Sequence, residues 1–281
     1  AQDGAHARFN RAAALQARLA VGAAIGQRGA PGQLAGVLRV EPTASLEAMR
    51  TLLEALGLPP DYVQALGAPA AGRTSGLGLS MPAWFYPGGG WVQPAALAAS
   101  FVQFGGSSVV VRPGVHVAAL RRRGARWQLL DSASGVLGES AVVVLANAFD
   151  AARLLGAQGS CLHVVRGQTS ELPAATPGLR LPAVPLAGNG YVLPELPGAM
   201  ALFGATAHRG DAAPELRADD HRDNLARLAR LTGNDVEIDP GRLAGRVGWR
   251  CVADDRLPLV GAVPDRRTIL QPGLRLDQPR F

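Results

Sequence analysis

The sequence contains no lysine: all 28 of its basic residues are arginine. A GC-rich coding bias accounts for this as readily as a demand for bidentate phosphate recognition, so the absence alone names no ligand. Cysteine is nearly missing too. Cys161 and Cys251 stand far apart without metal-ligand spacing, which leaves a zinc site or a disulfide framework unsupported and makes buried free thiols the expectation. No stretch approaches the roughly 18 consecutive apolar residues of a membrane span, and the N-terminus lacks the basic, apolar, small-residue order of a signal peptide. These absences predict a soluble, cytoplasmic protein with neither membrane nor metal among its partners. No internal repeat recurs at a fixed period. The chain opens Ala1-Gln2-Asp3 instead of on methionine, which suits an excerpt from a longer polypeptide or a processed one.

What is present describes a folded protein. Of 281 residues, 48% are hydrophobic and 18% charged, a balance that supports a sizeable core; the length suits two interleaved domains. The net charge of +6 and the pI near 10.5 favour a polyanionic partner, since clustered cations speed association and release counterions from phosphates.

Along the chain, residues 5–24 read as an amphipathic helix with Phe9, Leu15 and Leu19 on one side. Residues 34–40 read as a strand, and Thr43-Ala44-Ser45 as the cap of a helix through Leu56 that stops at Gly57. Pro59-Pro60 predicts a further short helix carrying Tyr62 and Leu66. Residues 67–90 read as loop and edge strand, with Met81, Trp84, Phe85 and Tyr86 as either a core anchor or a pocket wall. A helix over 94–104 and a strand over 107–111 come next. The β-rich runs 115–122, 125–131 and 139–145, separated by glycine turns, predict a meander, with Arg121-Arg122-Arg123 as a solvated hairpin tip. Residues 142–148 form an unbroken apolar run into small residues, as in a buried parallel strand whose end meets a ligand; a helical stretch over 150–155 follows it. Proline-bounded segments 162–172, 190–194 and 201–206 suit an antiparallel sheet, 215–231 a charged amphipathic helix with Leu225, Leu228 and Leu231 inward, and 246–260 a return to β structure.

Several segments, in their order, carry a resemblance: Tyr86-Pro-Gly-Gly-Gly-Trp-Val-Gln-Pro94, Val143-Val-Leu-Ala-Asn-Ala148, Val165-Arg-Gly-Gln168, Gly190-Tyr-Val-Leu-Pro194, Phe203-Gly-Ala-Thr206, His208-Arg-Gly-Asp211 and Trp249-Arg-Cys-Val-Ala-Asp-Asp-Arg-Leu-Pro-Leu-Val-Gly261. Together they resemble the flavin-dependent oxidoreductase domains of tRNA 5-methylaminomethyl-2-thiouridine biosynthesis bifunctional proteins, within the D-amino-acid-oxidase superfamily. The resemblance implies an α/β (α+β) fold in which an incomplete FAD-binding Rossmann-like domain (1–30, 88–155 and 243–281) is interleaved with an antiparallel-sheet substrate domain (31–87 and 156–242). It implies FAD as cofactor, tRNA as partner, a fused or associated methyltransferase domain, and oxidative removal of a carboxymethyl group from the wobble uridine. Small-amine oxidation of the glycine or sarcosine type, and a flavin-free tRNA-binding remnant, are the competing readings.

By the same resemblance, Arg250 is the carboxylate clamp, against the bland alternative of an ion pair with Asp254 or Asp255. Tyr191 is a pocket tyrosine or a half-buried sheet residue, and Arg166 lines the cavity or braces its strand. His208 and Arg209 face flavin or RNA, or sit on a solvated loop. The flavin would meet the backbone around Val115, His116 and Val117, the segment Ala146, Asn147 and Ala148, and Leu257, Pro258, Val260 and Gly261. Relatives begin with a strand, a Gly-x-Gly-x-x-Gly turn and a helix that accept the pyrophosphate; Gly76-Leu77-Gly78 and Gly88-Gly89-Gly90 do not make that pattern. Residues 264–281 show no flavin-closing loop and helix, so the flavin site is expected to be incomplete.

Overall fold

The computed structural model describes residues 3–156, 162–234 and 236–263; Cys161 and the expectation for 264–281 lie outside them. Helix α1 (Ala5–Arg28) ends on Gly29, whose left-handed φ of 68° stops it. Strands β1 (Gly32–Gln33) and β2 (Val37–Val40) lead to α2 (Leu46–Leu56). Its Ser45 hydroxyl accepts from the Ala48 N–H at 3.2 Å, and Gly57 at φ 60° closes it, as a serine cap and a left-handed glycine should. Then come β3 (Gln64–Leu66), α3 (Ala68–Ser75), β4 (Ala83–Tyr86), β5 (Trp91–Val92) and α4 (Pro94–Gly105). A separate three-stranded meander follows, β6 (Ala119–Arg123), β7 (Arg126–Leu130) and β8 (Val136–Ser140), and leads to the short α5 (Ala151–Leu154). The last part holds β9 (Leu162–Pro173), β10 (Leu186–Gly188), β11 (Gly190–Val192), β12 (Met200–Gly204), β13 (His208–Arg209), α6 (Ala218–Thr232) and β14 (Ala244–Ala253). No described helix is long and apolar enough to cross a membrane.

One large sheet organises the molecule. Its order is β14, β9, β12, β11, β10, β2, β4, β3, with β13 beside β12 on the same edge of β9. Every pairing is antiparallel except β10 with β2. The strands alternate their side chains between two faces. One face packs Leu38, Leu172, Leu186, Val192 and Phe203 against Leu228 and Leu231 of α6. On the other face, Trp84 is covered near the β3 edge by Met49 of α2 and by Val63, while the β9 and β14 end is open.

The first half of α6 departs from the expected apolar stripe. Asp220, His221 and Asn224 are buried, and they meet a polar row on β9. Arg166 is fully buried; it donates to Asp220 at 2.5 Å, to the Ala213 carbonyl at 2.8 Å, and to Gln168 and the Glu215 carbonyl. Gln168 in turn accepts from the Arg217 N–H at 2.9 Å and donates to the Arg217 carbonyl at 2.8 Å, so the Val-Arg-Gly-Gln element fixes the loop into α6 and the residue that caps the helix. Ser170 meets the His221 Nδ1 at 2.7 Å, leaving the buried Nε2 without a partner. Burial pushes the His221 pKa down, partly countered by the Asp220 charge. A histidine held neutral this way stabilises fully above its unfolded pKa of about 6.5 and loses that contribution as pH falls through its lower folded value. The thermal midpoint should therefore drop between pH 7 and 5, more steeply than in His221→Asn; equal slopes would remove His221 as the cause.

Three expectations fail, for a common reason: local pattern was overruled by what lies alongside. No helix starts at Pro59-Pro60. The Tyr62 and Val63 N–H groups both return to the Pro59 carbonyl in a single turn, after which β3 pairs with β4, and the helix forms later, as α3. Residues 107–111 make a 3-10 turn (Gly106–Ser108) and then an unpaired extended stretch, with Val110 82% exposed. Residues 142–148 are not a buried parallel strand: Val142 and Val144 are 72% and 82% exposed, because no described strand lies beside them to complete a ladder. The meander's third strand accordingly ends at Ser140.

Gly88-Gly89-Gly90 has a packing reason. A β-carbon on Gly90 would stand 1.9 Å from the Gln33 carbonyl oxygen, and one on Gly89 would stand 2.8 Å from Val37. Gly90→Ala should therefore cost about 1–3 kcal/mol through overpacking, read as a lowered urea midpoint with unchanged slope.

Candidate active site

The open face of the sheet is defined by alternation along β9 and β14. Register sets Val165 opposite Arg250, Gly167 opposite Gly248 and Thr169 opposite Arg246; on the other edge Thr169 lies beside Gly204, which lies beside Tyr191. Arg209 joins the same face through its pairing with Val165. Gly167 and Gly248 thus leave backbone free of side chains between Tyr191 and Arg250, whereas a β-carbon on Gly204, at φ 154°, would stand 3.4 Å from Asn224 on the closed face. A β-carbon on Gly248 would meet nothing within 4 Å. Gly248→Leu should therefore leave unfolding unchanged while filling the hollow, so its effect should appear as a raised KM; a lowered thermal midpoint would contradict the open floor.

The charges on this face are unevenly matched. Arg246 pairs with Glu171 at 3.1 Å, and Arg209 with Asp254 at 3.3 Å; Asp254 also holds His163. Asp255 accepts from the Leu257 N–H at 2.9 Å. Arg250 is exposed and has no carboxylate partner among the described residues, so the ion pair with Asp254 or Asp255 does not form. Its charge reaches the Tyr191 phenol, whose pKa burial pushes above the ordinary value while Arg250 pulls it down. Tyr191 therefore stays protonated at neutral pH, and its hydroxyl has no protein partner among the described residues. An unpaired guanidinium and an unpaired phenol over a bare floor form a receptor for a carboxylate.

Arg166 lies on the opposite face, committed to Asp220 and the α6 loop, which makes it a brace. His208 turns the same way and meets Asp220 at 2.6 Å. Burial, the largest influence, pushes the Asp220 carboxyl up, but hydrogen bonds from His208 and Arg166 outweigh it and hold the carboxyl below its usual range. Arg246 and Gly248 lie outside every motif that the sequence offers. Their signal was available, because residues four apart in a strand share a face, which places Arg246 with Arg250.

The stretches expected to meet flavin are partly brought together. Arg153 of α5 donates to the Val117 and Ala118 carbonyls at 3.0 and 2.7 Å and pairs with Asp150 at 2.6 Å, tying Val115, His116 and Val117 to the turn at Ala146, Asn147 and Ala148. That turn packs against β9 and β14. Leu257, Pro258, Val260 and Gly261 follow β14 in exposed, irregular backbone. Residues 115, 116 and 146–148 are exposed and Val117 is half-buried, leaving main chain there with which a flavin could be held. Among the described residues the pyrophosphate end has no match: β3 runs through Gly67 into α3 and β5 into α4, and neither carries a Gly-x-Gly-x-x-Gly turn.

The family profile described as FAD dependent oxidoreductase matches residues 2–275. The chain belongs to this family. It is 45% identical to the tRNA 5-methylaminomethyl-2-thiouridine biosynthesis bifunctional protein MnmC of Methylibium petroleiphilum, over 99% of this chain and 43% of that protein. It is 39% identical to the protein of the same name from Paraburkholderia xenovorans, over 80% of this chain and 34% of that one. This family member thus spans less than half the length of the curated relatives it matches. Among solved structures, glycine oxidase from Geobacillus kaustophilus superposes with a TM-score of 0.69 at 24% identity, over 90% of this chain and 70% of that one. Iminodiacetate oxidase from Chelativorans does so with 0.63 at 22% identity, over 92% and 70%. At these identities the structures speak for the fold, a mixed α/β architecture shared with flavoenzymes.

Proposed function

We propose that this chain is the flavin-dependent oxidoreductase part of a tRNA-modifying enzyme, acting in the cytoplasm to remove the carboxymethyl unit from carboxymethylaminomethyl(2-thio)uridine at the wobble position. The observation that carries the reading is the unpaired Arg250, whose charge reaches protonated Tyr191 across a face bared at Gly167 and Gly248. The names of its relatives supply the tRNA. On this reading, 1–30, 88–155 and 243–281 serve the flavin, 31–87 and 156–242 serve the substrate, and a methyltransferase domain is a fused or associated partner.

Bound FAD would supply the hydride acceptor, held by the backbone near Val115–Val117 and Ala146–Ala148. The chain's own residues orient and tune. Arg250 takes the substrate carboxylate with its planar fork, and Tyr191 adds a donor, which holds the carbon between carboxylate and amine over the bare floor. The amine must be neutral to give up hydride, and the adjacent guanidinium disfavours its ammonium form. Loss of hydride from that carbon and of the N–H proton leaves an imine; water then splits it into the aminomethyl nucleoside and glyoxylate.

The test is the visible spectrum of the purified chain after incubation with FAD and removal of free ligand. Bands near roughly 370 and 450 nm belong to bound flavin, and their anaerobic bleaching by carboxymethylaminomethyl-tRNA is the expected result. Bleaching by glycine or sarcosine but not by RNA would move the chain to small-amine oxidation. A colourless protein that still binds tRNA would make it a flavin-free remnant.

A further inference from the structure

Two arginines flank one position of β9 from its opposite edges. Val165 has Arg250 of β14 on one side and Arg209 of β13 on the other, so the two arginine α-carbons stand two strand spacings, about 10 Å, apart on the open face. His208 fixes this arrangement. Its bond to Asp220 at 2.6 Å pins β13 from the closed face, and alternation along the strand turns its neighbour Arg209 the other way. The Gly210 N–H then closes β13 on the Val164 carbonyl at 2.9 Å.

Arg209 is only lightly held where it stands. Asp211, the acid nearest to it in sequence, is taken by both terminal nitrogens of Arg217 at 2.5 and 3.2 Å. Arg209 is left with Asp254 at 3.3 Å, and the oxygen it uses, Oδ1, also serves the His163 Nε2. The Arg209 and Asp254 side chains are 65% and 62% exposed, and a pair so open to water binds weakly. The Nε and Nη1 donors of Arg209 make no hydrogen bond among the described residues. The fold has no need of this guanidinium, which is free to serve a ligand.

We propose that Arg209 takes a phosphate of the same nucleotide whose side-chain carboxylate sits at Arg250, an inference that rests on the tRNA reading above. Glycine or sarcosine carries one carboxylate, which Arg250 satisfies alone. A nucleotide carries a second anion at the far side of its base and ribose, and the fork of Arg209 matches it. Asp254 gives way to the phosphate and stays with His163. Arg209 thereby selects a nucleotide over a free amino acid without touching the reacting carbon.

The test is isothermal titration of the full chain with carboxymethylaminomethyluridine and with the same nucleoside carrying a phosphate on each side of its ribose. The phosphorylated form should bind the unaltered protein about tenfold more tightly. Arg209→Gln should close that gap while leaving nucleoside affinity and thermal unfolding unchanged, and Arg209→Lys, which keeps the charge, should restore part of it. Arg250→Ala should weaken both ligands by the same factor. Equal binding of the two ligands by the unaltered chain, or a gap that survives in Arg209→Gln, overturns the phosphate assignment and leaves the carboxylate reading standing. So does weaker FAD binding in Arg209→Gln with the gap intact, which would give Arg209 to a flavin phosphate. An unaltered chain that binds neither ligand overturns both readings.

Discussion

Arg250→Ala is expected to lower kcat/KM on the order of a thousandfold while leaving the fold intact. Two charge-assisted N–H bonds to the substrate carboxylate vanish together, along with the positive charge that keeps the amine neutral. Because Arg250 is exposed and carries no acidic partner among the described residues, its removal should shift unfolding by no more than about 0.5 kcal/mol. Arg250→Lys keeps the charge and loses the fork, so it should recover part of the activity. The measurement is anaerobic flavin reduction against substrate concentration, paired with thermal unfolding. Undiminished reduction in the alanine variant would take the carboxylate away from this face.

Asp220→Asn is expected to do the reverse, damaging the fold before the chemistry. Arg166 is fully buried and Asp220 nearly so, and removing one charge of such a pair leaves the other uncompensated, at a cost of about 3–5 kcal/mol. That is a large share of a typical stability of about 5–15 kcal/mol. Replacing both with apolar residues, Arg166→Met with Asp220→Leu, should be less harmful than either single change, since no orphan charge remains. Urea unfolding of the three variants decides it; single-variant losses under about 1 kcal/mol would mean that water or a neighbour relieves the charge.

The sequence made the local structure of α2, α4 and β9 legible because each carries its own punctuation: Ser45 and Gly57 for α2, Pro94 for α4, and a bounding proline, Pro173, for β9. It misjudged stretches whose state depends on neighbours. Residues 109–111 and 142–145 have the composition of strands but no described partner, and Gln64–Leu66 found one in β4. For the site, motif likeness singled out Arg250, Tyr191 and Arg166 without saying which face each occupies. Register separates them, placing Arg250 and Tyr191 on the open face and Arg166 on the closed one. The polar half of α6 was illegible because its counterparts on β9 lie about fifty residues away, and no periodicity in the helix alone announces them.

The exposed valines Val109, Val110, Val111, Val142 and Val144 have a colloidal consequence. Backbone donors and acceptors at Val110, Val111, Val143 and Val144 make no hydrogen bond among the described residues, so two chains that meet there can pair edge to edge. What holds them apart is mutual repulsion between molecules of net charge +6, and salt shortens its reach from about 30 Å at 0.01 M to about 8 Å at 0.15 M. Solutions of this chain should therefore stay clear at low ionic strength and cloud as salt is raised.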